Sequence, residues 1–173
     1  MTILRPASLD DLATLVEFSR QAFADSFRQL YAPEDIAAFL EDWRSTEQIS
    51  ANIADPDASL TLAEEYGALL GYCLIFFGKG FQERPAPQPL RPAFLSQLYC
   101  ASATTGRGVG SALMDHALDE SRQRGCDAVQ LSVYSENFGA QRFYARYGFQ
   151  KVADIDFWVG RHRDDEFLYE LRL

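Results

Sequence analysis

The chain has 173 residues, 47% of them hydrophobic, and a formal net charge of −9, which fits one globular domain over residues 1–173 with a real core. The acidic balance argues against a nucleic-acid partner, whose phosphates call for an excess of Lys and Arg, and is compatible with a cationic small-molecule substrate or simply with solubility. No run approaches the roughly 20 apolar residues of a membrane span, and "MTILRPASLDDL" lacks the basic flank and apolar run of a leader, so a cytoplasmic protein with no membrane partner is expected.

Thr2 to Arg5 reads as a short strand, and Ser8 with Asp10 and Asp11 as a helix start running to about Phe27. Pro33 opens a second helix with an apolar stripe of Ile36, Phe39, Leu40 and Trp43, and a short third follows Thr46. Ser59–Glu64 and Leu69–Phe77 form a hairpin whose second strand, "LLGYCLIFF", is apolar enough to lie centrally in a sheet. Four prolines and two glycines make Gly78–Pro92 an exposed loop. "AFLSQLYC" is a strand, the helix after the next glycines ends at Gly125, "AVQLSVY" is a strand, and Asn137–Tyr147 is a helix closed by Gly148. Strands around Phe149–Val159 and Glu166–Leu171 complete the chain.

Within this order, "TTGRGVGSALMDHAL" places Gly106, Gly108 and Gly110 at alternate positions before an amphipathic helix. Such a backbone lets amides approach an anion, and a helix start adds free N–H donors and a positive dipole end. The stretch has no Gly-Lys-Ser/Thr ending and lacks a glycine at the sixth position, so neither the triphosphate loop nor the dinucleotide fingerprint fits. Alone it reads equally as a flexible turn entering a helix. Cys73, Cys100 and Cys126 form no CxxC pair and only His116 and His162 supply imidazoles, so no metal is expected.

The strand "LSQLYC", the loop and helix "TTGRGVGSALM", the strand "VQLSVY" and "ENFGAQRFYARYGF" together resemble, in order and spacing, the acetyl-CoA core of the GCN5-related N-acetyltransferase (GNAT) superfamily. The resemblance implies an α/β GNAT fold: a mixed, mostly antiparallel sheet of about seven strands flanked by helices and splayed at the fourth and fifth strands, with acetyl-CoA as cosubstrate in the gap. It implies that the pyrophosphate rests on the amides of Arg107, Gly108, Val109, Gly110 and Ser111, with Thr105 and Gly106 leading into the turn. It further implies that Leu98 and Cys100 pair with the pantetheine arm, that an amide near Tyr99 stabilises the thioester oxyanion, that Asn137 contacts the pantetheine, and that Tyr144 protonates the departing thiolate. Thr105 stands where the superfamily prefers Gln or Arg, and its hydroxyl is expected to cap the helix instead. "FLSQLYC" carries no glutamate to serve as general base, which leaves an ordered water relayed from a carbonyl, Glu136, Asp154 or Asp156.

"AFADSFRQLYAPEDIAAFL", "STEQI" and "FWVGRHRDDEFLYEL" resemble the spermidine/spermine N-acetyltransferase branch. That likeness implies a polyamine or similar primary amine as acceptor, drawn by Asp25, Glu34, Asp35, Glu41 and Asp42. The alternatives are an acetyl-CoA-binding sensor without catalysis, or an enzyme acting on protein N-termini or aminoglycoside-like amines. Read without the superfamily, Tyr144 is a core residue beside Phe143 and Tyr147, Cys100 a buried structural thiol, His116 a packed histidine, and the acids the wet faces of helices. The superfamily often forms homodimers, for which the tail strand "EFLYELRL" offers a pairing edge.

Overall fold

The computed structural model describes residues 1–173. Its strands are β1 (Ile3–Pro6), β2 (Ala58–Glu65), β3 (Ala68–Phe77), β4 (Pro92–Cys100), β5 (Ala128–Tyr134), β6 (Gln150–Val159) and β7 (His162–Arg172). Its helices are α1 (Leu12–Phe27), α2 (Pro33–Trp43), α3 (Thr46–Ala54), α4 (Val109–Gln123) and α5 (Phe138–Arg146). Ser8 and Asp11 form a capping box around a 3-10 turn that leads into α1, and Ser45 accepts the Gln48 N–H at 3.2 Å to start α3.

The strands form one sheet in the order β1-β2-β3-β4-β5-β7-β6, antiparallel throughout except for the parallel pair β4 and β5. Side chains alternate faces along a strand, so on β3 Tyr72 and Leu74 pack with Leu15 of α1 and Ile49 of α3, while Cys73, Ile75 and Phe77 pack on the opposite face. There α4 contributes Val109, Leu113, Met114, Ala117 and Leu118, one stripe of a 3.6-residue helix. Burial on both faces is why β3 reads as continuously apolar.

Two irregularities shape the centre of the sheet. The parallel strands pair only where Pro92–Phe94 meets Ala128–Gln130, and beyond that they part. Against β3, β4 takes Gln97 opposite Leu74 but Leu95 opposite Ile75, so Ser96 is an extra, bulged residue. The bulge shifts the alternation by one: Ala93 and Leu95 face α4 before it, Leu98 and Cys100 after it.

The last strand starts at His162, four residues before the expected Glu166, because Gly160 (φ 58°) and Arg161 close a two-residue turn that pairs Val159 with His162. β7 lies between β5 and β6 with both edges hydrogen-bonded, so the tail strand offers no pairing edge; the sheet's free edges are β1 and β6. His116 is exposed rather than packed, 3.8 Å from Glu120. The proline-rich loop is tied down by Arg84, which bridges the buried Glu170 through two hydrogen bonds of 2.9 Å.

The β6–β7 turn docks on the start of α2, where the Arg161 N–H donates to Asp35 Oδ1 at 2.8 Å. A Cβ at Gly160 would stand 2.7 Å from the Asp35 Cα and 2.5 Å from Oδ1. Gly160→Ala therefore meets a left-handed φ and a backbone clash together, and should lower stability by about 2 kcal/mol or more. Gly67→Ala, whose Cβ would meet nothing within 4 Å, carries only the conformational part. Thermal unfolding of the two variants checks the difference; equal losses would mean that the docking is not tight.

Candidate active site

Where β4 and β5 part, a cleft of about 410 Å³ opens, a volume suited to a small ligand. Leu98, Tyr99, Cys100, Asn137 and Tyr144 all line it. The backbone of β4 decides which groups face the gap. Ala101 N–H bonds the Leu70 carbonyl of β3 at 2.8 Å, and in an antiparallel ladder the direction of N–H and C=O alternates residue by residue. Tyr99, opposite Tyr72, therefore spends its amide on β3, and the groups turned into the gap are those of Leu98 and Cys100. Of the amides near Tyr99, those facing the gap are consequently its neighbours', not its own.

The glycine turn abuts the same gap, since a Cβ on Gly110 would lie 3.7 Å from Cys100 Sγ and 3.9 Å from the Phe143 ring. Gly106 (φ 78°) and Gly108 (φ 79°) adopt the left-handed conformation, and a Cβ on either would meet nothing within 4 Å. They are needed for the path of the chain, and the space above them is open. Gly108 is the N-cap of α4, which leaves the amides of Val109, Gly110 and Ser111 without partners in the helix. Arg107 departs from expectation: its N–H bonds the Thr104 carbonyl at 3.0 Å and its guanidinium pairs with Glu65 at 2.5 Å. Thr105 does not cap α4 either, because its hydroxyl donates to the Ser102 carbonyl at 2.8 Å. Asn137 caps α5 by accepting the Ala140 N–H at 3.1 Å through Oδ1, which leaves its amide nitrogen free to face the cleft.

Tyr144 packs edge-on against Phe149 and Tyr169, at centroid distances of 5.7 and 6.5 Å. Burial pushes its phenol well above the usual tyrosine range, so it carries its proton at any physiological pH. Burial also pushes the Cys100 thiol up to about 11, which disfavours the thiolate a covalent route would need.

The carboxylates anticipated from sequence lie elsewhere. Asp25 is bonded by Gln21 and Arg28, Asp35 by the Arg161 amide, and Glu41 by Arg20 at 2.8 Å; neither these nor Glu34 line the cleft. Asp42 borders a separate shallow hollow with Trp43 and Trp158. Glu136 accepts the Tyr134 hydroxyl at 3.0 Å, and Asp154 and Asp156 are exposed and paired with Lys151 and Arg163. The carboxylate that does line the cleft is Glu166 on β7, 8% exposed, with Oε2 bonded to nothing. Burial, with help from the charge of Asp164 and against a hydrogen bond from Ser132, pushes it up to about 7. Asp164 itself is buried, accepting from the Tyr31 hydroxyl and contacting His162 Nε2 at 3.0 Å.

The acetyltransferase (GNAT) family model matches residues 20–149, three quarters of the chain, including the parted strands, the glycine turn and α5. The chain belongs to the GNAT family. An uncharacterized N-acetyltransferase of Lactobacillus delbrueckii subsp. lactis is 28% identical over 163 residues, covering 94% of this chain and 92% of the relative. The spermidine N(1)-acetyltransferase of Thermoplasma acidophilum is 28% identical over 153 residues, covering 88% and 90%. Among solved structures, the PaiA N-acetyltransferase of Thermoplasma acidophilum in complex with coenzyme A superposes with a TM-score of 0.81 at 22% identity, over 100% of this chain and 99% of that one. At that identity the superposition establishes the shared fold, which is the GNAT fold with its gap at β4 and β5.

Alternation along β7 fixes the side of the sheet from which Glu166 projects in this GNAT enzyme. Phe167, Tyr169 and Leu171 pack on the α4 face, where Tyr144 touches Tyr169, so Glu166 projects from the opposite face, toward α2. Glu166 and Tyr144 thus approach one gap from the two sides of the sheet.

Proposed function

We propose that the enzyme transfers acetyl from acetyl-CoA directly to a small primary amine, with Glu166 as general base and Tyr144 as general acid. The observation that carries this reading is their position on opposite faces of the sheet at a shared gap, which suits an amine entering from the α2 side and a thiol leaving on the α5 side. Acetyl-CoA, when bound, supplies an acyl carbon with a thiol leaving group. Free amides at Val109, Gly110 and Ser111 suit its pyrophosphate, and the unpaired edge of Leu98 and Cys100 suits an extended arm.

Glu166 takes a proton from the incoming ammonium, whose free pKa of about 10 would otherwise hold nearly all of it in the unreactive form. Nitrogen then bonds to the acyl carbon while an amide of Leu98 or Cys100 stabilises the charge gathering on oxygen. Tyr144 gives its proton to the sulfur as the carbon–sulfur bond breaks. An ammonium becomes an amide, the thioester becomes a thiol, and one proton is released to water after Glu166 and Tyr144 recover their starting states.

Thiol release from acetyl-CoA, read against polyamines, aminoglycosides, peptides and amino acids, tests the reading. Release with at least one amine is expected; none with any would favour a sensor. A polyamine acceptor is a second reading, favoured by the likeness to the Thermoplasma spermidine acetyltransferase. Gly108→Val forces a branched residue into a left-handed φ at the N-cap of α4 and should weaken acetyl-CoA binding about tenfold or more. Equilibrium titration measures this, and unchanged affinity in a folded variant would sink the assignment of the turn.

A further inference from the structure

Besides Glu166, a second buried charged side chain lines the cleft. Arg44, at the end of α2, is 4% exposed and lines the same cavity. Its guanidinium carbon lies 5.8, 5.4 and 5.8 Å from the ring centres of Phe23, Phe39 and Tyr99. One of its nitrogens donates to the Trp43 carbonyl at 3.1 Å, Nε has no partner, and Arg44 takes part in none of the protein's ion pairs. Ring faces offset only part of the desolvation of a cation, and less than burying an unpaired ion costs. An anion arriving in the cleft would complete the set.

Arg44 approaches the Tyr99 ring, and Arg44, Tyr99 and Glu166 line one cavity in which neither charged side chain has an ion-pair partner. Most of the remaining lining is apolar, Phe27, Phe39 and Phe157 among it. A polyamine brings several positive charges and nothing for Arg44, which would repel it.

We propose that the acceptor is a small ampholyte, a primary amine carrying its own carboxylate across an apolar or aromatic body, with the carboxylate held by Arg44 and the amine presented to Glu166. This rests on the acetyltransfer reading above and names its substrate class. The recognition follows from charge pairing in an enclosed site, where a guanidinium and a carboxylate form a strong, directional contact and where an unmatched group is excluded.

The test compares kcat/KM for amino acids with aliphatic or aromatic spacers, for their carboxamides, which lose only the anion, and for spermidine and putrescine. The wild-type enzyme should prefer an amino acid over its carboxamide by at least tenfold, and over both polyamines. In Arg44→Met, which keeps the length of the side chain, that ratio should collapse toward one; because it is taken within a single protein preparation, partial unfolding does not affect it. Should Arg44→Met fail to fold, the wild-type ratio together with Arg44→Lys, which keeps the charge and a reduced preference, decides. Carboxamides or polyamines used as well as the amino acids, or a preference that survives in Arg44→Met, would overturn the ampholyte while leaving acetyl transfer standing. Absence of thiol release with every amine would overturn both.

Discussion

Glu166→Gln should lower kcat by about two orders of magnitude or more, the usual contribution of a positioned base. The wild-type rate should rise with pH and level off above about 7, where Glu166 loses its proton. In the glutamine variant that limb should vanish, and the residual rate should keep climbing with the ionisation of the free amine. Asp164, Tyr31, Tyr99, Cys100, Tyr134, Tyr144, Arg44 and His162 lie in or beside the cleft, and Glu83, Asp154, Asp156, Arg163 and Asp165 share a second hollow with Glu166; Asp164→Asn is the control for a limb arising from the buried neighbouring carboxylate. A plateau near pH 7 that persists in Glu166→Gln would remove Glu166 from the mechanism.

The same substitution has an opposite effect on stability. Glu166 is raised in the folded state from 4.5 to about 7, so the native protein binds the proton more tightly than the unfolded chain. Its stabilising contribution is complete below about pH 4.5 and is lost as pH rises through about 7, a difference of about 3 kcal/mol. Glutamine mimics the protonated form at every pH, so Glu166→Gln should unfold at a higher temperature than the wild type at pH 8 and at a similar one at pH 4. A residue that is kept at such cost to the fold, in a cleft and without a hydrogen bond on Oε2, fits service in chemistry better than service in packing.

How much of this site is legible in the sequence depends on whether each feature is local or set by the fold. The glycine turn is legible as a local pattern of glycines before a helix, whereas Asn137 and Tyr144 stand out only through the resemblance to the superfamily, since by spacing alone Tyr144 reads as a core residue beside Phe143 and Tyr147. The parted strands are legible through the same segments. Glu166 carries no such signal in a strand that begins at Glu166, where its charge looks like a strand end. Once β7 extends back to His162, period two places Asp164, Glu166 and Leu168 on one face, and that alternation was readable. Arg44 had no such signal, since its burial depends on α1, α2 and β4 converging from distant parts of the chain. The acids of α1 and α2 illustrate the converse. Their charge was visible, but Asp35 is taken by the β6–β7 turn and Asp25 by its own helix. Which amide of β4 faces the gap depends on hydrogen-bond phase against β3, which no composition reveals.

Tyr144→Phe should reduce kcat by about 10²-fold while leaving the affinity for acetyl-CoA nearly unchanged. The packing surface of the ring, against Phe149, Tyr169 and Phe143, is common to both side chains, and the Tyr144 hydroxyl has no hydrogen bond with the protein to lose. Stability should therefore change by well under 1 kcal/mol, which separates a chemical role from a structural one. Because burial holds the phenol above its ordinary 10, the acid stays loaded throughout the range in which Glu166 ionises, and the pH profile should show no falling limb below about pH 10 from this residue. A thioester whose thiol is more acidic needs less help in leaving, so the loss in Tyr144→Phe should shrink as the leaving-group pKa falls. If the loss is the same for good and poor leaving groups, Tyr144 positions the acyl donor rather than protonating it, and the acid must be sought elsewhere in the cleft.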